Sequence, residues 1–121
     1  MVYAALFVGG ALGAMLRLAA GEILPYGAWT TMGINWLGCL VLGFFLPYTA
    51  VKGKLPEAVR IGISAGVLGG FTTFSTFSVE TLAFVQQERW WSALLYVGGS
   101  LLGGIALAGC GWLAARRTVR A

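Results

Sequence analysis

Residues 69–78 read Gly-Gly-Phe-Thr-Thr-Phe-Ser-Thr-Phe-Ser and interrupt the third of four long apolar segments in this 121-residue chain. The double glycine is followed by hydroxyl side chains at five of the next eight positions, and phenylalanine stands at every third position. A hydroxyl or backbone group without a partner in hydrocarbon costs several kcal/mol. Such a stretch is stable at membrane depth only when it is buried in protein or lines a wet path, so we expect it to be the functional centre.

The composition indicates a membrane protein and excludes several functions. Residues are 59% hydrophobic and 10% charged, whereas about a quarter of the residues in a soluble domain are charged. The net charge of +4 comes from basic residues at the ends of the apolar segments, with no dense basic run, so no nucleic-acid partner is expected. The chain lacks histidine and aspartate, which removes His-based catalysis, His metal sites and Asp dyads. We therefore do not expect an enzyme.

The apolar segments cover residues 3–24, 28–49, 58–84 and 90–115, each near the roughly 20 residues that cross about 30 Å of hydrocarbon. This predicts a single all-α transmembrane domain, residues 1–121, with four helices, the third of them broken. The first segment has no basic region before it, so we interpret it as a membrane helix rather than a cleaved signal. Aromatic residues stand near the predicted ends, as in an interfacial belt: Tyr3, Tyr26, Trp29, Tyr48, Trp90, Trp91 and Trp112.

The polar residues of the first two segments each allow a structural and a functional interpretation. Arg17 follows a run of small residues in the first segment. It either extends to the interface or faces the bundle, where it adds positive potential for an anion. Thr31 and Asn35 lie one turn apart on the second segment. The Asn35 amide either hydrogen-bonds a neighbouring helix or offers uncharged donors to an anion that must bind and leave.

The third and fourth segments add backbone groups, rings and hydroxyls. A break at Gly69-Gly70 would free carbonyls that suit a cation and a half-helix N-terminus that suits an anion. Phe74 and Phe77 are i, i+3 neighbours; rings at this spacing are usually core, but the surrounding hydroxyls favour a polar path on which ring edges contact an anion. Glu80 is expected to orient a hydroxyl or to cap a vestibule. One face of the fourth segment forms either a packing seam or a row of donors: Ser92, Tyr96, Ser100 and Gly104.

Three motifs, in this order along the chain, resemble the Fluc (CrcB) fluoride channel family. They are Gly10-x-x-Gly13-Ala14-x-x-Arg17 in the first segment, Asn35-x-x-Gly38 in the second and residues 69–77 in the third. The third motif is specific, whereas the first would be weak alone. The resemblance covers all four segments at the expected spacing and so extends over effectively the whole chain.

The resemblance implies a fluoride-selective passive channel that exports fluoride across the cell (plasma or inner) membrane and protects against fluoride toxicity. It implies an antiparallel, dual-topology homodimer embedded in membrane lipid. One structural Na⁺ at the dimer centre would be held by the backbone carbonyls of Gly69 and Thr72 from both subunits. The implied anion pathway has Phe74 and Phe77 as pore phenylalanines, Asn35 as the pore amide, Tyr96, Ser100 and Thr31 on its polar side, Ser75 and Thr76 beside them, and Arg17 at the vestibule mouth.

Two features depart from this pattern. Gly104 stands where some relatives continue the hydroxyl row, so that end of the path is expected to be water-lined. The basic residues are also unequally divided, which favours one orientation over dual insertion. Either this bias is overridden, or the subunit pairs with an oppositely oriented homologue. Arg89 and Arg17 lie towards one side, and the other side carries Lys52, Lys54, Arg60, Arg116, Arg117 and Arg120.

Two other functions fit the sequence less well. A small multidrug-resistance-type antiporter is also built from four short helices, but it needs a carboxylate deep in its first helix. Here Glu22 stands at the end of that segment, and Arg17 would repel a cationic drug. A non-conducting helper subunit would explain the glycine seams, but it leaves the hydroxyls and rings at membrane depth unexplained.

Overall fold

The computed structural model describes residues 1–25 and 27–120, which contain helices and no strand. Three helices are long and apolar enough to cross a membrane: α1 (Val2–Ile23), α2 (Ala28–Lys52) and α6 (Trp90–Arg120). The third segment lies between them and is divided into shorter helices. The chain is therefore an all-α, multi-pass membrane protein, as predicted. In chain order the third segment comprises α3 (Glu57–Ile61), the π-helix π1 (Gly62–Leu68), α4 (Gly69–Phe71) and α5 (Ser75–Gln86).

The predicted break in the third segment is confirmed, but it begins at Thr72, the last residue of the stretch 69–72 in which we expect it, and not at Gly69-Gly70 itself. Both glycines lie in α4, and the chain leaves the helix at Thr72, whose φ of −77° and ψ of 158° are extended. Helix α5 begins at Ser75. Gly70 is needed for close packing instead, because a Cβ there would overlap the carbonyl oxygen of Gly10 in α1. Gly70 thus allows the two backbones to approach closely, whereas a Cβ at Gly69 would meet no atom within 4 Å, and the break follows the pair.

The helix ends agree with the predicted segments to within a few residues, with one larger difference at the C-terminus. Helix α2 ends at Lys52, and Gly53 follows in the left-handed region with φ of 57°, where its N–H donates to the carbonyl of Thr49. Helix α6 continues to Arg120, five residues beyond the predicted end of the fourth segment at residue 115. Tyr26, assigned above to the aromatic belt, lies outside the described residues.

Helix α1 packs directly on the first half of the third segment. Gly9 and Gly13 face π1, and a Cβ on Gly13 would lie 2.8 Å from the amide nitrogen of Phe71 and on top of the Val67 carbonyl oxygen. Gly66 fits against Gly9 in the same way. Small residues of α1 therefore allow close contact between the two backbones, and they fix α1 against the segment that carries the break.

Helices α2 and α6 form the other main pair. Gly43 lies against the backbone of Ala108, and Gly111 against the backbone of Phe44. Nearer the start of both helices, the indole N–H of Trp36 donates to the carbonyl of Gly99 at 3.1 Å. Residue numbers increase together along this seam, so α2 and α6 run parallel. The seam sets the height at which polar side chains of α2 face the break.

The seam between α1 and π1 gives a direct test. Gly13→Ala should lower the free energy of unfolding by about 1–3 kcal/mol, because the added methyl group has backbone rather than a movable side chain in its way. Unfolding in detergent, followed by circular dichroism with increasing denaturant, measures the change. Gly10→Ala is the matched control, since a Cβ at Gly10 meets no atom within 4 Å. Equal stability of the two variants would show that the backbones of α1 and the third segment are not in close contact at Gly13.

Candidate functional site

The extended residues of the break are held by the Asn35 side chain. Its Nδ2 donates to the carbonyl oxygen of Thr73 at 2.9 Å, and the N–H of Thr73 donates to Asn35 Oδ1 at 2.8 Å. Both backbone groups of Thr73 are thereby satisfied without water, which hydrocarbon cannot supply. The structural interpretation of Asn35 is therefore confirmed. One N–H of the amide is not used in this pair.

The hydroxyls of Thr72 and Thr73 hydrogen-bond backbone groups at the two helix ends that flank the break. Thr72 Oγ1 donates to the Leu68 carbonyl at 2.9 Å, and its methyl group lies where a Cβ of Gly38 would stand. Thr73 Oγ1 accepts the N–H of Thr76 at 3.2 Å, in the first turn of α5. Asn35 and Gly38 are three positions apart, so they lie on the same face of α2. The Asn35-x-x-Gly38 motif thus contacts both threonines of the break. Asn35 hydrogen-bonds Thr73, and Gly38 leaves room for the methyl group of Thr72.

Glu80 joins three helices through hydroxyl donors. Thr31 Oγ1 of α2 donates to Glu80 Oε1 at 3.0 Å, and the phenol of Tyr96 of α6 donates to Oε2 at 2.6 Å. Tyr96 is fully buried, with 0% of its surface exposed. A carboxylate at membrane depth is costly unless it is hydrogen-bonded. The expectation that Glu80 orients a hydroxyl is confirmed, and it orients two.

The rings predicted to line a path form a continuous series. The ring centroids of Phe74 and Phe77 are 5.7 Å apart, and those of Phe77 and Tyr96 are 5.2 Å apart. Phe74 is 79% exposed and Phe77 is half-buried. In the single chain Phe74 is therefore not a core residue. The series runs from the surface at the break to the buried Tyr96.

A cavity of about 500 Å³ lies between α2, the third segment and α6. Its wall combines aliphatic and aromatic carbon with a few polar groups. The Ser100 hydroxyl oxygen is buried and has no hydrogen-bond partner among the described residues. An unpartnered donor at this depth is unusual, because a helical serine commonly bonds to a carbonyl one turn earlier. Six predicted site residues line this cavity: Asn35, Gly69, Thr72, Phe74, Phe77 and Ser100.

A second cavity, of about 430 Å³, lies on the other side of the break and is more polar. Arg17 lines it and is half-buried. Glu22 and Thr30 also line it. Thr73 lines both cavities, which places the break between them. Three predicted site residues lie here: Arg17, Thr31 and Thr76.

Two predicted site residues lie apart from the cavity walls. Tyr96 is enclosed by Phe77, Phe84 and Trp29, and its hydroxyl is used by Glu80. Ser75 is exposed, with its Oγ 3.3 Å from Oγ1 of Thr73. The sequence interpretation did not single out Thr73, the residue at the junction. The density of hydroxyls around it was the available signal, but it did not distinguish Thr73 from its neighbours.

The carbonyl oxygens before the break suit the predicted cation. Gly69 and Thr72 both line the larger cavity. No hydrogen bond between described residues ends on either carbonyl, since the N–H of Thr73 goes to Asn35 and that of Thr76 to Thr73 Oγ1. Free carbonyl oxygens are the hard ligands that bind alkali and alkaline-earth cations. Gly69 is also exposed, so a second chain can approach it.

Residues 4–112 match the family model described as CrcB-like protein, Camphor Resistance (CrcB). The chain belongs to the CrcB-like family. Similar curated proteins carry a more specific name. A Bacillus cereus protein named fluoride-specific ion channel FluC 1 is 37% identical, over 93% of this chain and 85% of the relative. A Moorella thermoacetica protein of the same name is 41% identical, over 96% and 86%. The Methylobacterium nodulans fluoride-specific ion channel FluC is 44% identical, over 85% and 86%.

The pairing of Asn35 with Thr73 distinguishes this CrcB-like chain from a simple helix bundle and can be tested directly. Asn35→Ala leaves one buried N–H and one buried carbonyl without a partner, at about 1–3 kcal/mol for each group. We expect amide exchange at Thr73 to become at least about tenfold faster, as measured by hydrogen–deuterium exchange in detergent. Gly33→Ala is the control on the same helix, because a Cβ at Gly33 meets nothing within 4 Å. Unchanged exchange in Asn35→Ala would contradict the pairing.

Proposed function

We propose that this CrcB-like chain is a subunit of a fluoride-selective passive ion channel, which exports fluoride across the cell membrane and protects against fluoride toxicity. The names of the similar proteins, fluoride-specific ion channels, support fluoride as the conducted ion. The unpartnered hydroxyl of Ser100 is the single observation that carries the site, because it offers a free donor beside the rings of Phe74 and Phe77. A passive channel catalyses no reaction, so this proposal assigns the chain no enzymatic activity.

The cavity walls suit a small, strongly hydrated anion. A selective path must replace the water donors of the ion with protein donors that bind weakly enough to release it. In the larger cavity these are the Ser100 hydroxyl, the remaining N–H of Asn35 and the positive edges of the two phenylalanine rings. In the smaller cavity, Arg17 adds positive potential and Thr76 a hydroxyl. The anion would pass the break beside Thr73, which borders both spaces.

We further propose an antiparallel, dual-topology homodimer with one structural Na⁺ at its centre. A single chain leaves Phe74 and Gly69 exposed at the mouth of the larger cavity, and a second copy would cover both. The carbonyls of Gly69 and Thr72 would hold the ion, with equivalent carbonyls from the partner. Because the basic residues are unequally divided, an oppositely oriented homologue is the alternative partner, and flux from the lone chain separates the two.

Fluoride efflux tests the rings. Liposomes that contain the purified chain should lose fluoride and retain chloride when a potassium ionophore removes the voltage. Phe74→Ile or Phe77→Ile should slow fluoride efflux at least about tenfold, which corresponds to ~1.4 kcal/mol of lost anion stabilisation. Phe7→Ile is the control, since Phe7 is 81% exposed on α1 and lines neither cavity.

The outcomes of this assay separate three conclusions. Normal flux in both ring variants removes the rings from the mechanism. Equal flux of fluoride and chloride removes the selectivity. No flux from the lone chain leads to co-expression with an oppositely oriented homologue, and continued absence of flux from that pair contradicts the channel.

Sodium removal tests the proposed cation. Exchange of Na⁺ for N-methylglucamine should increase the monomer fraction, because several carbonyl dipoles would then face one another without a charge to bind. Cross-linking at fixed protein concentration in detergent measures this fraction, and K⁺ serves as a control for ionic strength. A monomer fraction that is the same in all three buffers would argue against a structural Na⁺.

A further inference from the structure

The two ends of the molecule differ strongly in charge. Helices α2 and α6 are parallel and therefore end on the same side. That side carries five exposed basic residues, which we name the basic end: Lys52, Lys54, Arg116, Arg117 and Arg120. The opposite side has Arg17 and Arg89 balanced by Glu22 and Glu88. The nearest carboxylate in sequence, Glu57, begins α3, which packs on α1.

The register of the α2–α6 seam brings the basic residues of the two helices to one level. Gly43 lies on Ala108, and nine positions further along each helix stand Lys52 and Arg117. Packing continues to that height, because Thr49 and Ala115 are 7% and 0% exposed. The basic end is therefore one surface formed by two helix ends.

The length of α6 places this surface at the depth of the lipid phosphates. Trp90 and Trp112 are 22 positions apart, which is about 33 Å along a helix and matches the hydrocarbon thickness between two aromatic belts. Arg116 to Arg120 then lie about 6–12 Å beyond the level of Trp112. This is the headgroup layer rather than free solution.

Arg116 is held in a geometry that suits a phosphate. Its guanidinium carbon lies 4.5 Å from the centre of the Trp112 ring. A guanidinium that lies flat on a ring keeps its N–H edge free, and such an edge matches two phosphate oxygens. The ring also reduces the rotamer freedom that a long side chain would lose on binding.

We propose that the basic end is a binding surface for the headgroups of anionic phospholipids, with Arg116 on Trp112 as its anchor and with Lys52, Arg117 and Arg120 around it. The ligand is a phosphodiester that carries net negative charge at the membrane surface. Clusters of Lys and Arg directly beyond a membrane helix recognise such lipids. The surface is independent of the conducted ion, since no member of the basic end lines either cavity.

Native mass spectrometry of the detergent-purified chain, titrated with phosphatidylglycerol or with phosphatidylcholine of the same acyl chains, tests this proposal. Phosphatidylglycerol should bind more tightly. Arg116→Gln should weaken its binding about fivefold and leave phosphatidylcholine unchanged, and Arg117→Gln with Arg120→Gln should weaken it further. Arg116→Lys should retain only part of the affinity for phosphatidylglycerol, because lysine keeps the charge without the planar fork of the guanidinium.

Arg89→Gln is the matched control, since Arg89 also stacks on a ring, 5.0 Å from the centre of Phe84, but at the balanced end. It should leave phosphatidylglycerol binding unchanged, and thermal unfolding should confirm that all variants are folded. Equal losses in Arg89→Gln and Arg116→Gln would overturn the proposal, as would equal binding of the two lipids. Inorganic phosphate that displaces the lipid at equal concentration would assign the surface to free phosphate and overturn the lipid as ligand.

Discussion

The rest of this structure depends on one constraint, which is that the backbone of the broken third segment must find its hydrogen-bond partners within the protein. An extended stretch in hydrocarbon exposes backbone groups that nothing outside the protein can satisfy. The Asn35 amide resembles a peptide group in its donors and acceptors, so it can pair with Thr73 as a neighbouring strand would. This pairing requires α2 at one height and one rotation, and the seam with α6 supplies both through Gly43, Gly111 and Trp36.

Within the membrane-spanning segments glycine has two distinct uses, and neither is a hinge. At Gly9, Gly13 and Gly70 it allows α1 to contact the backbone of the third segment, where no hydrophobic driving force exists between helices in lipid and packing must replace it. At Gly38 it leaves a notch that the Thr72 methyl fills. A sequence rich in glycine at membrane depth therefore indicates close backbones before it indicates flexibility.

The architecture could be predicted from the sequence because membrane thickness fixes the length of each segment. A polar stretch at that depth must also be buried in protein or line a wet path, which marks the third segment as special. The site could be predicted only in part. Asn35, Phe74, Phe77 and Ser100 do face one cavity, but the break lies beyond the glycine pair. Local propensity favours a break at Gly69-Gly70, and contact with α1 overrides it. The bonds of Glu80 to Thr31 and Tyr96 join residues 49 and 16 positions apart, which no local pattern encodes.

Within the described part of the chain, some of the hydroxyls near the cavities already have a hydrogen-bond acceptor and one does not, and this difference decides which of them can donate to an anion. Thr31 and Tyr96 already donate to Glu80, so either hydroxyl must leave a carboxylate before it can meet another anion. Ser100 has no such competing acceptor. Since an unmade hydrogen bond at this depth is costly, an unpartnered hydroxyl in a mostly apolar wall favours a ligand in the cavity over simple packing. The donors available to an anion are therefore fewer than the row of hydroxyls suggests, and this suits an ion that must also leave.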